Sequence, residues 1–386
     1  MRKILILLTT LLSGSLAFAQ EAESTTGNEL EVRIIPRFEL NPYAPVKGNG
    51  WSMDRGTTSL YTQLEGSIGD HVSYFFSNHW LSTDPASLYV IDEDGEKSAN
   101  LFRNDNLNWL DMGYVNLNFG SWDFTLGKDM VVIGSYEEDA YDYDSHANLN
   151  SYFWNAAQVY QWGAKVAWTT PDESHQLVAQ VMSSPFSCRP FGASWFGKEE
   201  GHLKTFSLGW YGDFDWFAPI WSVNMMEYAK GRYIKMLGLG NQFYAGDFTF
   251  TLDWINRFEA VDGAFLSDET TLAGSAMLNI NDKWEIFAKA GWDNAPGKDY
   301  FCYADSFDDD SFVPSWLTLF VVDANMNLER RHRTYKYGGL GVHWYPLADS
   351  QDLRVHAVAA YNNLAECVSL NVGVTYNFSL TNLLRK

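Results

Sequence analysis

Residues 368–378 read VSLNVGVTYNF, and this stretch decides the fold. Apolar side chains occupy every second position from Val368 to Phe378, and the positions between them are polar or very small. In a β-strand, a period of two places all the apolar side chains on one face and the polar ones on the other. A strand with one apolar face, ending in aromatic residues, is typical of a barrel wall that separates lipid from water.

The beginning of the sequence has the features of an export signal. Arg2 and Lys3 precede an apolar run at 4–16, and Ala17-Phe18-Ala19 fits a small-x-small cleavage site. We therefore expect a signal peptide at 1–19, a short N-terminal segment at 20–28 and a transmembrane β-barrel at 29–386. No later run reaches about 18 apolar residues, so we expect strands, not helices, to cross the membrane.

The alternation with a period of two recurs along the chain, for example at 30–40, 160–169, 284–292 and 353–361. Short turns rich in Gly, Asp, Asn and Pro alternate with long connections near 83–107, 129–157, 185–202 and 293–333. This pattern predicts an all-β fold: a transmembrane antiparallel β-barrel of about 16 strands with short periplasmic turns and long extracellular loops. The alternation slips near 108–119 and 216–229, which indicates β-bulges there.

The composition narrows the range of functions. The formal net charge is −21, which excludes general nucleic-acid binding because that needs a basic surface. Aromatic residues make up 16% of the chain, an amount that suits girdles at two membrane interfaces. The 3 cysteines leave two alternatives open: a disulfide between Cys188 and Cys302, or unpaired thiols throughout.

A barrel of about sixteen strands is wide enough to leave an aqueous channel, whereas about eight strands fill with side chains. The side chains that alternate with the apolar stripes should line this channel, and the charged ones among them are close to balanced. Each could be solvated or paired across the lumen, since selectivity needs several charges at one height. The predicted pore-lining residues are Arg33, Arg37, Glu65, Lys165, Asp253, Arg257, Glu285, Lys289 and Arg354.

One long connection is a candidate constriction. Residues 134–146 read GSYEEDAYDYDSH and lie between two clear strands. A long loop with aromatic residues can fold into the lumen, where its acidic side chains would favour cations. The alternative is a surface loop that faces saccharide headgroups. The predicted constriction-loop residues are Tyr136, Glu137, Glu138, Asp139, Asp142 and Asp144.

Catalytic and metal-binding motifs are not evident in the sequence. The 8 histidines are scattered, and HExxH, GxSxG and paired-cysteine zinc spacings are missing. His343 and His356 fall on neighbouring inward-facing positions, which we interpret as polar lumen residues and not as an acid–base site. We therefore expect no enzymatic activity, no cofactor and no metal site.

Three stretches near the candidate constriction resemble a known family. Residues 114–120 (YVNLNFG), 124–129 (FTLGKD) and 132–137 (VIGSYE) are similar to the strand–turn–strand–loop region of the phosphate-selective porin O/P-like family. Residues 226–243 (MEYAKGRYIKMLGLGNQF) add to the likeness, which is strongest to the Bacteroidetes branch. The resemblance implies a sixteen-stranded barrel, a homotrimer and a place in the outer membrane.

The resemblance does not carry over phosphate selectivity. Founding members of that family line the pore with a ladder of arginines, whereas the inward arginines here are interspersed with carboxylates. The sequence thus predicts an outer-membrane porin, a passive diffusion channel for small hydrophilic solutes or ions, with membrane lipid around it. An adhesive or structural barrel is the alternative, and a barrel enzyme of about ten to twelve strands is a further one.

Overall fold

The computed structural model describes residues 28–47, 50–54, 58–82, 89–91, 97–99, 110–139, 143–146, 149–151, 153–154, 159–184, 203–229, 231–259, 269–294, 318–322, 328–332, 334–347, 350–363 and 366–384. The expected signal peptide, the segment at 20–27, Cys188 and Cys302 lie outside these residues. Cys367 is within them and carries a free thiol.

Within the described residues, sixteen long strands form one closed antiparallel barrel. The first strand pairs with the second (Val32 opposite Leu64) and also with the last (Phe38 opposite Val374), which closes the sheet. The predicted all-β barrel of about 16 strands is therefore confirmed. The strands are β1 Glu29–Pro45, β2 Ser59–Ile68, β3 Val72–Ser82, β4 Leu110–Phe119, β5 Trp122–Met130, β6 Tyr160–Thr169, β7 His175–Ser183, β8 Lys204–Gly212, β9 Phe217–Ala229, β10 Arg232–Ala245, β11 Phe248–Glu259, β12 Glu269–Asn281, β13 Trp284–Asn294, β14 Tyr335–Trp344, β15 Leu353–Asn362 and β16 Cys367–Tyr376.

Shorter elements accompany the barrel. Helices α1 Tyr136–Asp139 and α2 Tyr143–His146 lie in the connection between β5 and β6, and α3 Leu380–Leu384 follows β16. Short strands pair with β1 or with each other; they span 52–54, 378–379, 89–91 with 97–99, and 318–322 with 328–332. None of the described helices is both long and apolar enough to cross a membrane.

Both predicted bulges are present. Asp111 is the extra residue where β3 pairs with β4, because Ser77 faces Met112 and Asn78 faces Leu110. In β9 the register shifts between Glu227 and Ala229. A bulge inserts a residue and breaks the alternation locally. In β9 the pattern is also weakened by the inward apolar residues Ile220 and Met226, which are buried against the connection between β5 and β6.

The outer face of the barrel is apolar. Outward residues such as Phe38, Leu208 and Leu340 are between 60% and 68% exposed, whereas inward residues of the same strands are mostly buried. Tryptophans pair across neighbouring strands near the short turns, as Trp122 with Trp168 and Trp284 with Trp344. This band matches the aromatic girdle at one membrane interface, next to the short turns.

Candidate constriction site

The connection between β5 and β6, here named the inner loop, folds into the barrel. Its described parts are 131–139, 143–146, 149–151 and 153–154. Four of its apolar residues, Val131, Ile133, Leu149 and Phe153, are 0% exposed. Side chains of strands from β7 to β15 pack around them, so the inner loop lies against the barrel wall.

The first part of the inner loop is held by hydrogen bonds to the wall. The amide of Val132 donates to Gln180 Oε1 over 3.0 Å, and Ser222 Oγ donates to the Ile133 carbonyl over 2.6 Å. The hydroxyl of Tyr136 donates to the Ala218 carbonyl over 2.6 Å. These bonds satisfy polar backbone groups that would otherwise be buried without partners, which is costly.

Glycines let the backbone of the inner loop approach the backbone of the barrel wall closely. A Cβ at Gly238 on β10 would lie 2.0 Å from the carbonyl oxygen of Ile133, so no larger residue fits there. Gly134 in the loop has a φ of +76°, a conformation that favours glycine. The inner loop therefore rests directly on the backbone of the wall at this point.

Asp253, predicted to line the pore, instead binds the start of α1. Its carboxylate accepts from the amide of Tyr136 at 2.9 Å and from Ser135 Oγ at 3.1 Å. Asp253 is 1% exposed. A carboxylate at the first turn of a helix receives the unpaired backbone N–H groups, so this residue anchors the loop.

Glu137 forms a second anchor. Its carboxylate lies 2.8 Å from Lys289 Nζ and accepts from the Tyr337 hydroxyl and from the Ser151 amide, each at 2.9 Å, and from Ser151 Oγ. Burial disfavours the charged carboxylate, but the nearby Lys289 and the bonds from Ser151 outweigh it and hold the pKa of Glu137 below its usual value. Glu137 is therefore an ionised anchor whose charge is already paired.

The second part of the inner loop packs against the barrel wall through aromatic side chains. His146 stacks on Phe287 at 4.3 Å between ring centroids, and the guanidinium of Arg257 lies 4.6 Å from the centre of the Phe153 ring. Lys289 also donates to Asn150 Oδ1 over 3.2 Å. Arg257 and Lys289 were predicted to line the pore, and the structure places both beneath the inner loop, 0% and 2% exposed.

On the wall formed by β1 to β4, a charged group on β1 and β2 is partly exposed, whereas Glu39, Ser77 and Tyr114 are buried. Arg33 lies between two carboxylates, with Nη2 3.1 Å from Glu65 and Nε 3.5 Å from Glu31, and all three side chains are about a quarter exposed. The guanidinium of Arg37 lies 4.6 Å from the centre of the Tyr61 ring. The predicted pore-lining residues Arg33, Arg37 and Glu65 therefore lie on the paired strands β1 and β2, and their role in lining a pore stays a prediction.

Lys165 of β6 forms an ion pair on the inner wall. Its Nζ lies 2.5 Å from Asp129 Oδ2, and the two side chains are 9% and 5% exposed. The lysine was predicted to line the pore, and the pair shows that its charge is compensated locally.

Glu285 and Arg354 lie on the inner face of β13 and β15. Glu285 Oε1 is 2.7 Å from His343 Nδ1, and Arg354 is 8% exposed. The rings of His343 and His356 are 6.4 Å apart, so the two histidines are neighbours as their register indicated. Among the described residues no group of three or more His, Cys, Asp or Glu side chains could hold a metal ion.

Of the predicted constriction-loop residues, Tyr136 and Glu137 are anchors, and the backbone of Glu138, Asp139 and Asp144 lies in α1 and α2. The side chains of these last three and the whole of Asp142 lie outside what the structure describes. Sequence reasoning missed Gln180, Ser222 and Tyr337. The alternation marks all three as inward-facing, but no sequence signal links them to a distant loop.

The fold and site define an outer-membrane β-barrel with a loop folded into its lumen. No protein-family model matches the chain, and no curated protein is significantly similar to it. Among solved structures it is similar to the outer-membrane channel DcaP of Acinetobacter baumannii, with a TM-score of 0.54 and 10% identity over 92% of this chain and 99% of that one. It is also similar to OmpT of Vibrio cholerae, an outer-membrane protein, with a TM-score of 0.51 and 10% identity over 93% and 100%.

At this identity the likeness concerns the fold. Both similar structures are outer-membrane barrels, and one is described as a channel. The resemblance to the phosphate-selective porin family and to its Bacteroidetes branch stays a prediction.

Proposed function

We propose that this chain is a porin that lets small hydrophilic solutes or ions diffuse passively across the outer membrane. One observation carries the proposal: a closed barrel of sixteen strands has a polar inner wall, and the described part of its inner loop packs against strands from β6 to β15. On β1 and β2, Arg33, Glu31 and Glu65 keep about a quarter of their side-chain surface exposed. A polar, partly exposed wall beside an anchored loop supports an aqueous path.

The partly exposed wall favours solutes without a strong net charge. Arg33 is shared by two carboxylates and Lys165 is paired with Asp129. Phosphate selection needs cationic side chains that can direct several N–H groups at the anion. Because Arg33 is already engaged by two carboxylates, it argues against a phosphate-selective channel.

Further expectations belong to this proposal. The resemblance to the porin family implies a homotrimer, which chemical cross-linking in the outer membrane would detect as a threefold mass. The motif survey of the sequence argues against an enzyme, and a passive pore needs no cofactor or metal. The mature chain would begin after a cleaved signal at 1–19, which N-terminal sequencing of the exported protein tests.

Planar-bilayer recording of the purified, folded protein tests the pore itself. We expect stepwise increases in conductance as single channels insert. Heat-modifiable migration in SDS gels would serve as the control for a folded barrel. Folded protein without stepwise conductance would contradict the porin proposal and would favour the adhesive or structural barrel, whose lumen is blocked by its own loops.

A further inference from the structure

The lipid-facing wall contains a groove. A cavity of about 1180 Å³ lies across β4 to β10, and its lining is almost entirely apolar. The outward residues that line it include Leu126, Val181, Leu208 and Val223, which are between 48% and 60% exposed. Contiguous apolar concavities mark binding sites more often than isolated apolar residues do.

The inner loop accounts for the shape of this wall. On the inside of β8 and β10, a Cβ at Gly209 would lie 2.8 Å from Val132 Cγ1, and one at Gly238 would lie 2.0 Å from the Ile133 carbonyl. The wall therefore approaches the loop as closely as its backbone allows. On the outside of neighbouring strands, Ala164 and Ala179 line the cavity with the smallest of its side chains. The close approach of the wall to the loop on the inside and the small side chains on the outside together produce the groove.

Lys235 lies at one end of the groove. Lys235 lines the cavity, while its neighbours Ile234 and Met236 point inward and are only 1% and 2% exposed. Lys235 thus faces outward on the same side of β10 as Leu237. A lysine on the lipid face of a barrel is costly at the bilayer midplane but is tolerated near an interface, where its ammonium group can reach an anionic headgroup.

The position of Lys235 indicates the leaflet. It is the fourth residue of β10, next to the connection at 229–231, which lies at the end of the barrel opposite the short turns and the paired tryptophans Trp122 and Trp168. Long loops face outward in such barrels, so this end is extracellular. The headgroups nearest to Lys235 are those of the outer leaflet.

We propose that the groove binds a phosphorylated, multiply acylated glycolipid of the outer leaflet. Its acyl chains lie against the apolar lining from Leu126 to Val223, and its phosphate pairs with the ammonium group of Lys235. An apolar lining with a single cation at its outer end matches a molecule that joins acyl chains to an anionic headgroup. The proposal concerns the outer wall and does not depend on what passes through the lumen.

Native mass spectrometry of the purified, delipidated full chain in detergent would test it, with purified lipid A as the probe. We expect wild-type protein to retain lipid A, and Lys235→Gln to bind it about tenfold more weakly, as the loss of one charge-assisted hydrogen bond would cause. Lys204→Gln is the matched control, because Lys204 also faces outward, on β8, but does not line the cavity; its binding should stay as in wild type.

Further binding measurements identify the ligand and the site. Dephosphorylated lipid A should bind wild-type protein about tenfold more weakly than lipid A does, a comparison that needs no variant. Ala179→Trp, which fills the groove, should also lower retention. Equal binding by wild type and K235Q, or phosphatidylglycerol binding as tightly as lipid A, would overturn the proposal. Loss of oligomers in A179W with unchanged lipid binding would overturn it too, because it would identify the groove as a contact between copies.

Discussion

The ion pair between Glu137 and Lys289 decides how the inner loop is held. The two charged atoms are 2.8 Å apart, and the side chains are 1% and 0% exposed. Removing one partner of a buried pair leaves the other charge uncompensated, at a cost of about 3–5 kcal/mol. We expect Glu137→Gln to loosen the loop and give a larger, noisier single-channel conductance.

A double variant provides the control for this prediction. Glu137→Gln combined with Lys289→Met removes both charges, so much of the lost anchoring should return. Unchanged conductance and noise in the single variant would show that the pair does not hold the loop. From the sequence, we expected that neutralising Glu137 and Glu138 would lower cation preference; for Glu137 the structure gives a mechanical role, because its charge is already paired.

The same pair gives a pH dependence whose sign follows from the pKa shift. The folded-state pKa of Glu137 lies below the usual value of 4.5 because of Lys289 and the Ser151 bonds, which outweigh burial. A lowered carboxyl pKa contributes stability that is present above the ordinary pKa and is lost as pH falls through the folded one. We expect wild-type channels in bilayer recordings to gain noise below about pH 4.5 and E137Q to lack this transition. The same rise in noise in E137Q would contradict this assignment.

Glu65 is the best single test of the partly exposed wall. It lies 3.1 Å from Arg33 and is 24% exposed, so its removal would leave Arg33 with less compensation in the lumen. Glu65→Gln should shift the reversal potential in asymmetric KCl toward anion preference. Glu173→Gln, the same change of charge in the turn between β6 and β7, is the control. If both variants shift the potential equally, Glu65 does not lie on the conduction path.

Among the described connections, the inner loop is the one that packs inside the barrel, and we expect it to narrow the lumen. Met130 and Tyr160 face each other at its base, so a short linker can join β5 to β6 without breaking strand pairs. Replacing 134–155 with a short Gly-Ser linker should leave the barrel folded and raise conductance about twofold or more. A deletion of similar length in the β3–β4 connection is the control. Unchanged conductance after the inner-loop deletion would place the loop off the conduction path.

The strands were predictable from sequence because a barrel wall between lipid and water imposes a period of two on each one. The alternation assigned Tyr160 and Trp168 outward and Lys165 inward, and even its slips marked the bulges. It could not separate the inward residues that the loop covers, such as Asp253 and Lys289, from those that stay partly exposed, such as Arg33. That division depends on where a loop docks across the lumen, and contacts between residues more than a hundred positions apart leave no periodic signal.

The whole molecule combines a nearly balanced, partly exposed wall with a net charge of −21, so most of its negative charge lies elsewhere in the chain. Charges far from the narrow part act on ions through the solvent and are screened beyond a Debye length of about 10 Å at 0.1 M salt. We therefore expect a cation preference in 0.1 M KCl that largely fades at 1 M, where the screening length is about 3 Å. Reversal potentials measured at the same concentration ratio over both salt ranges would check this. A cation preference that persists unchanged at 1 M would instead locate the selecting charges within the constriction, and the paired state of Glu137 and Glu65 would no longer account for the channel.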